Sequence, residues 1–300
     1  MSRRNTPRIS FIGFGEAGQA IASGLRDAGI EHIAAWDILF PNPAGAPLKA
    51  AGESIGVRMA SSAGDATRET DMVISAVTAA SSLDAARSVA PHLTGNPYYL
   101  DINSVSPGRK QETAQLLGER ARYVDVAVIA AIHPARHRTP LLISGPYAEE
   151  ISPLLHELDM QLAVVGPEIG SAAAIKMIRS VMIKGIEALT LECFLAASRA
   201  DVLEEVTASL KNNYPTLDWA KIADYNLERM TSHGERRAAE MEESAATLRE
   251  LGLDPLMVDS TVKRQREMGA IGKRKTVREA VKSGRAAMLS AISAAVKDRD

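Results

Sequence analysis

The sequence predicts a mostly parallel, doubly wound α/β domain at residues 1–168 and an all-α domain at residues 169–300, joined by one long helix. Three observations predict it. Short apolar runs alternate with helix-like segments from Arg8 to Val165; a glycine-rich turn follows the first run; and after Gly170 the apolar spacing becomes helical and stays so. A chain of 300 residues also exceeds the usual size of one hydrophobic core, which favours two domains.

The apolar runs fall at 9–12, 33–36, 72–77, 98–102, 123–128, 141–144 and 162–165. They are apolar at consecutive positions, as strands covered on both faces require. The segment 41–47 holds three prolines and a glycine and reads as an irregular loop. From Ser171 to Arg199 the helical spacing is free of proline, so a single helix is expected there, carrying the chain from one domain to the next. Beyond it only helical periodicity remains, with breaks expected at 212–215, Gly234, 252–255 and 269–272.

Composition narrows the function classes. Hydrophobic residues make up 46% and charged residues 24%, an ordinary balance for a folded chain. Lys plus Arg is 35 against 37 for Asp plus Glu, so no strong field gathers nucleic acid or anionic lipid, and neither partner is expected. No charge-free apolar run reaches the ~18 residues of a membrane span, and no signal peptide is read at the N-terminus. The one cysteine, Cys193, excludes an internal disulfide and is read as a packing residue in a reducing, cytoplasmic setting. The basic triplet 273–275 is read as a solvated surface.

The first chemistry-bearing motif is Gly13-Phe14-Gly15-Glu16-Ala17-Gly18, which follows a strand and opens a helix. In this dinucleotide-binding (Rossmann) context the first glycine permits the tight turn, the second lets backbone approach a pyrophosphate, and the third lets helix and strand pack closely. The phosphates meet free N–H groups at the positive end of the helix. Asp37 stands 19 residues after Gly18, at the end of the second strand, where a carboxylate meets ribose hydroxyls. Ala76 and Val77, closing the run at 72–77, are placed against the same cofactor. Asp37 repels a 2'-phosphate, and 38–46 offers no Arg or Lys, so NAD is favoured; NADP would need a basic residue from elsewhere, such as Lys49 or Arg58.

Together with this motif, Asp101-Ile-Asn-Ser-Val-Ser-Pro107 and the segment from Gly166 to Lys176 resemble the 3-hydroxyacid (β-hydroxyacid) dehydrogenase superfamily, which includes 6-phosphogluconate and 3-hydroxyisobutyrate dehydrogenases. The resemblance covers nearly the whole chain in order. The second half, with Lys184-Gly-Ile-Glu-Ala188 and His233-Gly-Glu-Arg-Arg237, is most similar to a bacterial branch labelled only as phosphogluconate dehydrogenase-like. The resemblance implies NAD-dependent oxidation of a carboxylate-bearing 3-hydroxy acid, with decarboxylation of the 3-keto product as a further step. It implies that Lys176 moves the proton, and that Asn103 and Ser104 meet the substrate.

Departures from the family pattern bear on the substrate. Asn103-Ser104 replaces a Ser-Thr pair, although an amide still hydrogen-bonds a carboxylate. Ile129-Ala130-Ala131 replaces a Ser-Gly-Gly anchor, and Arg179 stands where relatives carry Asn. These three departures point away from the substrates of the two named relatives.

Independently of the family, Lys176 lies early in a helix that follows a glycine-rich turn, a suitable place at a cleft between domains. A lysine base working near neutral pH needs a drop of roughly three units from ~10.4, about 4 kcal/mol. Arg179 and Lys184 are the nearby cations, and Lys176, Ser180, Lys184 and Glu187 recur at helical spacing on one face. Arg179, Ser180, Lys184 and His133 join the candidate substrate-binding set. His133 and His137 flank the loop before Leu141, which is read as shaping a pocket; without further ligands at metal spacing, no metal is expected. His233, Arg236 and Arg237 are candidates for binding a carboxylate from a second subunit, and the apolar second half leads us to expect a homodimer. Imine reduction and non-catalytic dinucleotide binding are the competing readings.

Overall fold

The computed structural model describes residues 6–297. In its N-terminal half the order is β1 (Ile9–Ile12), α1 (Glu16–Asp27), β2 (Ile33–Trp36), α2 (Ala46–Ser54), β3 (Arg58–Met59), α3 (Ala63–Ala66), β4 (Met72–Ser75), α4 (Ser82–Val89), β5 (Tyr98–Asp101), α5 (Pro107–Leu117), β6 (Arg122–Val128), β7 (Leu141–Ser144), α6 (Ala148–Glu157) and β8 (Leu162–Val164). The strands form one sheet in the order β3-β2-β1-β4-β5-β6-β7-β8. Among the described residues only the β6–β7 pair is antiparallel. The strand at Arg58–Met59 escaped the sequence reading because two residues carry no periodicity.

The consecutive apolar runs are explained by two cores. On one face Ile21 and Leu25 of α1 and Ile151 and Leu155 of α6 pack on Phe11, Ile74, Leu100 and Val124. On the other, Ala86, Val89 and Leu117 pack on Ile12, Val73, Tyr99 and Tyr123. Each fully buried leucine or phenylalanine contributes roughly 1.5–3 kcal/mol, so both faces of the sheet are stabilised by burial. Strand order reverses between β1 and β4, and the loops after β1, β2, β4 and β5 gather at the carboxyl edge where ligands of such sheets bind.

Two compact units divide at Lys176 and Met177. The helix α7 (Ser171–Arg199) runs through that division with the bounds its periodicity predicts. It is followed by α8 (Leu203–Asn213), α9 (Trp219–Glu250), α10 (Leu256–Gly272), α11 (Lys275–Ala280) and α12 (Arg285–Lys297). Within the second unit Leu191, Phe194, Leu227, Met230, Met268, Leu289 and Ile292 form the core.

Gly234 and Gly269 do not break helices as the sequence suggests. They lie inside α9 and α10, and the break falls at Gly272. Their purpose is contact: a Cβ on Gly234 would lie 2.3 Å from the Gln265 carbonyl oxygen, and one on Gly272 would lie 1.9 Å from that of Thr231. The two backbones meet where side chains are missing.

The loop between β6 and β7 packs on α1 rather than shaping a pocket around His137. That imidazole is 4% exposed and fills the notch left by Gly24, where a Cβ would lie 2.0 Å from Nδ1. Neither ring nitrogen has a hydrogen-bond partner. Arg136 donates to Asp27 at 2.6 Å beside it, and Arg138 pairs with Asp159. Burial, aided by Arg138 and Arg136 against Asp159 and Asp27, lowers the His137 pKa. The folded ring therefore resists a proton that the unfolded chain accepts near about pH 6.5, so this contribution is present above that value and is lost as pH falls below it. We expect the urea midpoint to fall from pH 7.5 to 5.5, and His137→Phe to flatten that fall; an equal fall in the variant assigns it to other groups.

Candidate functional site

The glycine turn is built by close approach. Gly13 has φ +89°, and a Cβ there would lie 2.4 Å from the Ala76 carbonyl oxygen and 2.6 Å from Val77 Cγ1. Its N–H donates to the Trp36 carbonyl at 2.9 Å, so the turn is clamped between the ends of β2 and β4. A Cβ on Gly18 would lie 2.7 Å from the Gly13 carbonyl oxygen, which lets α1 lean on the turn. Gly15 differs: a Cβ there would meet nothing within 4 Å. It precedes α1, whose first turn begins at exposed Glu16 and half-buried Ala17 and has no side-chain cap. Open space before uncapped helical N–H groups fits a pyrophosphate, and a nicotinamide dinucleotide fits the turn.

Asp37 completes this half of the site. Its Oδ2 accepts from the Phe14 N–H at 2.8 Å and its Oδ1 from the Leu39 N–H at 2.9 Å, which fixes the carboxylate at the end of β2. Phe14 needs correction as a cofactor contact. Its ring is fully buried between Phe11 and Phe40, and its N–H and C=O are taken by Asp37 and Gln19, so it shapes the turn from within.

The second half sits after β5. Lys176 Nζ donates to Ser104 Oγ at 2.5 Å, joining the two residues named as catalytic and substrate-binding. Asn103 is corrected: it is 4% exposed, its Oδ1 accepts from the Val77 N–H at 2.7 Å, and its Nδ2 donates to Ser75 Oγ at 2.9 Å. The amide ties the β4 and β5 loops together instead of facing a substrate.

Two residues that sequence reasoning missed hold the start of the helix that carries Lys176. Asp125 Oδ2 accepts from the Gly170 and Ala173 N–H groups at 3.2 and 3.0 Å, and Ser144 Oγ accepts from the Ala172 N–H at 3.0 Å. A carboxylate at the positive end of α7 satisfies orphan amides and complements the helix dipole. An acid in the middle of an otherwise apolar strand, Asp125 in β6, was the available signal.

The remaining candidates lie in other settings. His133 is exposed in the β6–β7 loop. Arg179 is exposed on α7. Ser180 and Lys184 are buried in the second unit, where Lys184 Nζ donates to Ser180 Oγ at 3.2 Å and pairs with Glu240 at 2.9 Å. Burial lowers the Lys184 pKa and Glu240 opposes it. With Lys184 committed to Glu240, its role as a carboxylate ligand is corrected to that of an internal ion pair. Arg237 is likewise spent: it is buried and held by Glu187, which also accepts from Gln265 at 2.8 Å. Arg236, exposed, pairs loosely with Glu240 at 3.6 Å, and His233 is half-buried on the same helix.

Comparison with known proteins agrees with a dinucleotide-binding fold. Residues 8–166 match the NAD binding domain of 6-phosphogluconate dehydrogenase, and residues 197–268 match a domain of unknown function. A conserved hypothetical protein from Sinorhizobium meliloti is 36% identical, with 97% of each chain covered and a TM-score of 0.77. A conserved protein of unknown function, described as structurally similar to 3-hydroxyacid dehydrogenases, is 32% identical over 88% of this chain and 97% of its own, with a TM-score of 0.70. The 3-hydroxyisobutyrate dehydrogenase of Mycobacterium tuberculosis is 16% identical over 88% of this chain and 94% of its own; its TM-score of 0.72 is a likeness of fold. Among the described residues no helix is long and apolar enough to cross a membrane.

Gly13→Ala tests the turn. It adds roughly 1–3 kcal/mol of backbone strain as well as the clash with Ala76, so we expect NADH affinity, read by nucleotide fluorescence, to fall about tenfold or more. Unchanged affinity places the dinucleotide elsewhere.

Proposed function

The chain belongs to the family of the NAD binding domain of 6-phosphogluconate dehydrogenase, within the 3-hydroxyacid dehydrogenase superfamily, and from that premise we propose that it oxidises a carboxylate-bearing 3-hydroxy acid with NAD. The observation that carries the reading is the 2.5 Å contact between Lys176 Nζ and Ser104 Oγ beside the carboxyl edge of the sheet. A hydroxyl-bearing carbon loses a hydride and its oxygen loses a proton. The nicotinamide supplies the hydride acceptor. The protein supplies the base: the neutral amine of Lys176 takes the hydroxyl proton at Nζ, while Ser104 Oγ fixes where that nitrogen stands. Running backwards, the same nitrogen returns the proton to a carbonyl oxygen. Asp37 at the ribose end supports NAD over NADP, because it repels a 2'-phosphate. Ile129-Ala130-Ala131 after β6 supports a substrate with a less polar group than a phosphosugar.

The test is NADH formation across polar and aromatic 3-hydroxy acids, with NADP controls. Lys176→Ala should lower kcat at least about a hundredfold, the usual contribution of a general base, with NADH binding retained. Activity surviving in the variant moves the base elsewhere, and turnover of imines but not alcohols replaces the reaction.

We also propose a homodimer through the C-terminal helices. Ile178, Met182, Ile186 and Leu189 line one stripe of α7 in the second unit and are 46%, 65%, 39% and 57% exposed. Such a stripe suits a partner of the same chemistry. Light scattering should give twice the 32.1 kDa chain mass, and Met182→Asp with Leu189→Asp should return it to one chain; a wild-type monomer rules the dimer out.

A further inference from the structure

We propose that Lys110, a buried lysine of α5, is a positioning residue that sets the Lys176 amine on Ser104. The inference rests on the reading of Lys176 as the base. The register of β5 and β6 pairs Asp101 with Asp125, both fully buried. Lys110, 1% exposed, inserts its Nζ between them, 3.1 Å from Asp101 Oδ1 and 3.4 Å from Asp125 Oδ1, and donates to the Asp101 carbonyl at 2.6 Å.

Each carboxylate holds one arm of the site. Asp101 Oδ1 accepts from the Asn103 N–H at 3.0 Å and so governs the turn that ends in Ser104. Asp125 Oδ2 holds the Gly170 and Ala173 amides and so governs the first turn of α7, whose next turn carries Lys176. The ammonium lies within ion-pair distance of both carboxylates. Its own place is fixed by the start of α5, where Ser106 accepts from the Arg109 N–H at 3.4 Å. A Cβ on Gly170 would lie 2.9 Å from Pro107 Cβ, and Gln111 donates to the Ile169 carbonyl at 3.2 Å, so α5 and the turn before α7 are already docked. Removing the cation leaves two like charges in adjacent register with no counter-charge, and they relax by moving apart. That movement shifts the two arms independently and opens the contact between Ser104 and Lys176.

The experiment uses the full chain and the variant Lys110→Met. Pulsed acetylation with acetic anhydride, read by peptide mass spectrometry, reports the Lys176 amine relative to exposed Lys273. We expect Lys176 labelling to rise severalfold while NADH affinity stays as in the wild type. For a substrate that is turned over, kcat should fall about tenfold or more with KM little changed, as displacement of a reacting group requires. Wild-type labelling of Lys176 in folded Lys110→Met overturns the proposal. If that variant does not fold, Asp101→Asn combined with Lys110→Met removes the repulsion while leaving both arms unlinked. Wild-type labelling there overturns the proposal, and failure of this variant to fold also overturns it by assigning Lys110 to folding alone. Should Lys176→Ala leave turnover intact while Lys110→Met still exposes Lys176, the base assignment fails and the positioning stands.

Discussion

Two carboxylates buried side by side in a sheet are the constraint from which much of the N-terminal unit follows. Asp101 and Asp125 are paired in register across β5 and β6 and fully buried, an arrangement that destabilises a sheet unless a counter-charge joins it. Lys110 supplies that charge, Tyr123 donates to Asp101 at 2.8 Å, and Ser144 donates to Asp125 at 3.0 Å. Breaking such a buried pair from one side typically costs about 3–5 kcal/mol, because the charges left behind remain desolvated. The arrangement is expensive to build as well as to break, and its retention makes sense where the geometry it enforces is used.

The two chemistries of the site share one hydrogen-bonded layer. Gly13 packs against Ala76 and Val77; the Val77 N–H donates to the Asn103 side chain; the Asn103 backbone N–H donates to Asp101; and Asp125, across the cation, holds the start of α7. Asn103 is the middle link, and its departure from the family's Ser-Thr pattern changes what it does: both polar ends of the amide face the protein. Ser104 and Lys176 remain as the side chains of this group that touch each other at the edge.

Sequence patterns carried the architecture well where a rule had room to act. Consecutive apolar runs gave seven of the strands, and uninterrupted helical spacing gave α7. The glycine turn and Asp37 were legible because each glycine has a distinct steric reason and the acid follows at a fixed distance. Side-chain partners were not legible. Lys110 looks like any helical lysine until β5 and β6 place two acids beside it, and Lys184 looks available until Glu240 arrives from α9. Gly234 and Gly269 read as breaks because a close helix contact and a helix end draw on the same residue. In each case the deciding fact is a contact between segments far apart in the chain, which periodicity does not encode.

The margins of the sheet bear on how the protein behaves at high concentration. Its outer strands are its shortest: β3 spans Arg58–Met59, with a charged residue bonded to Asp65, and β8 spans Leu162–Val164. A long flat margin of unpaired amides is a template on which another chain can add a strand and begin a fibril. Here little such template is offered at either margin, even though the interior strands are among the most apolar segments of the chain. The sequence thus confines its aggregation-prone stretches to positions paired on both sides, a safeguard that lasts only as long as β2 and β7 keep their short neighbours.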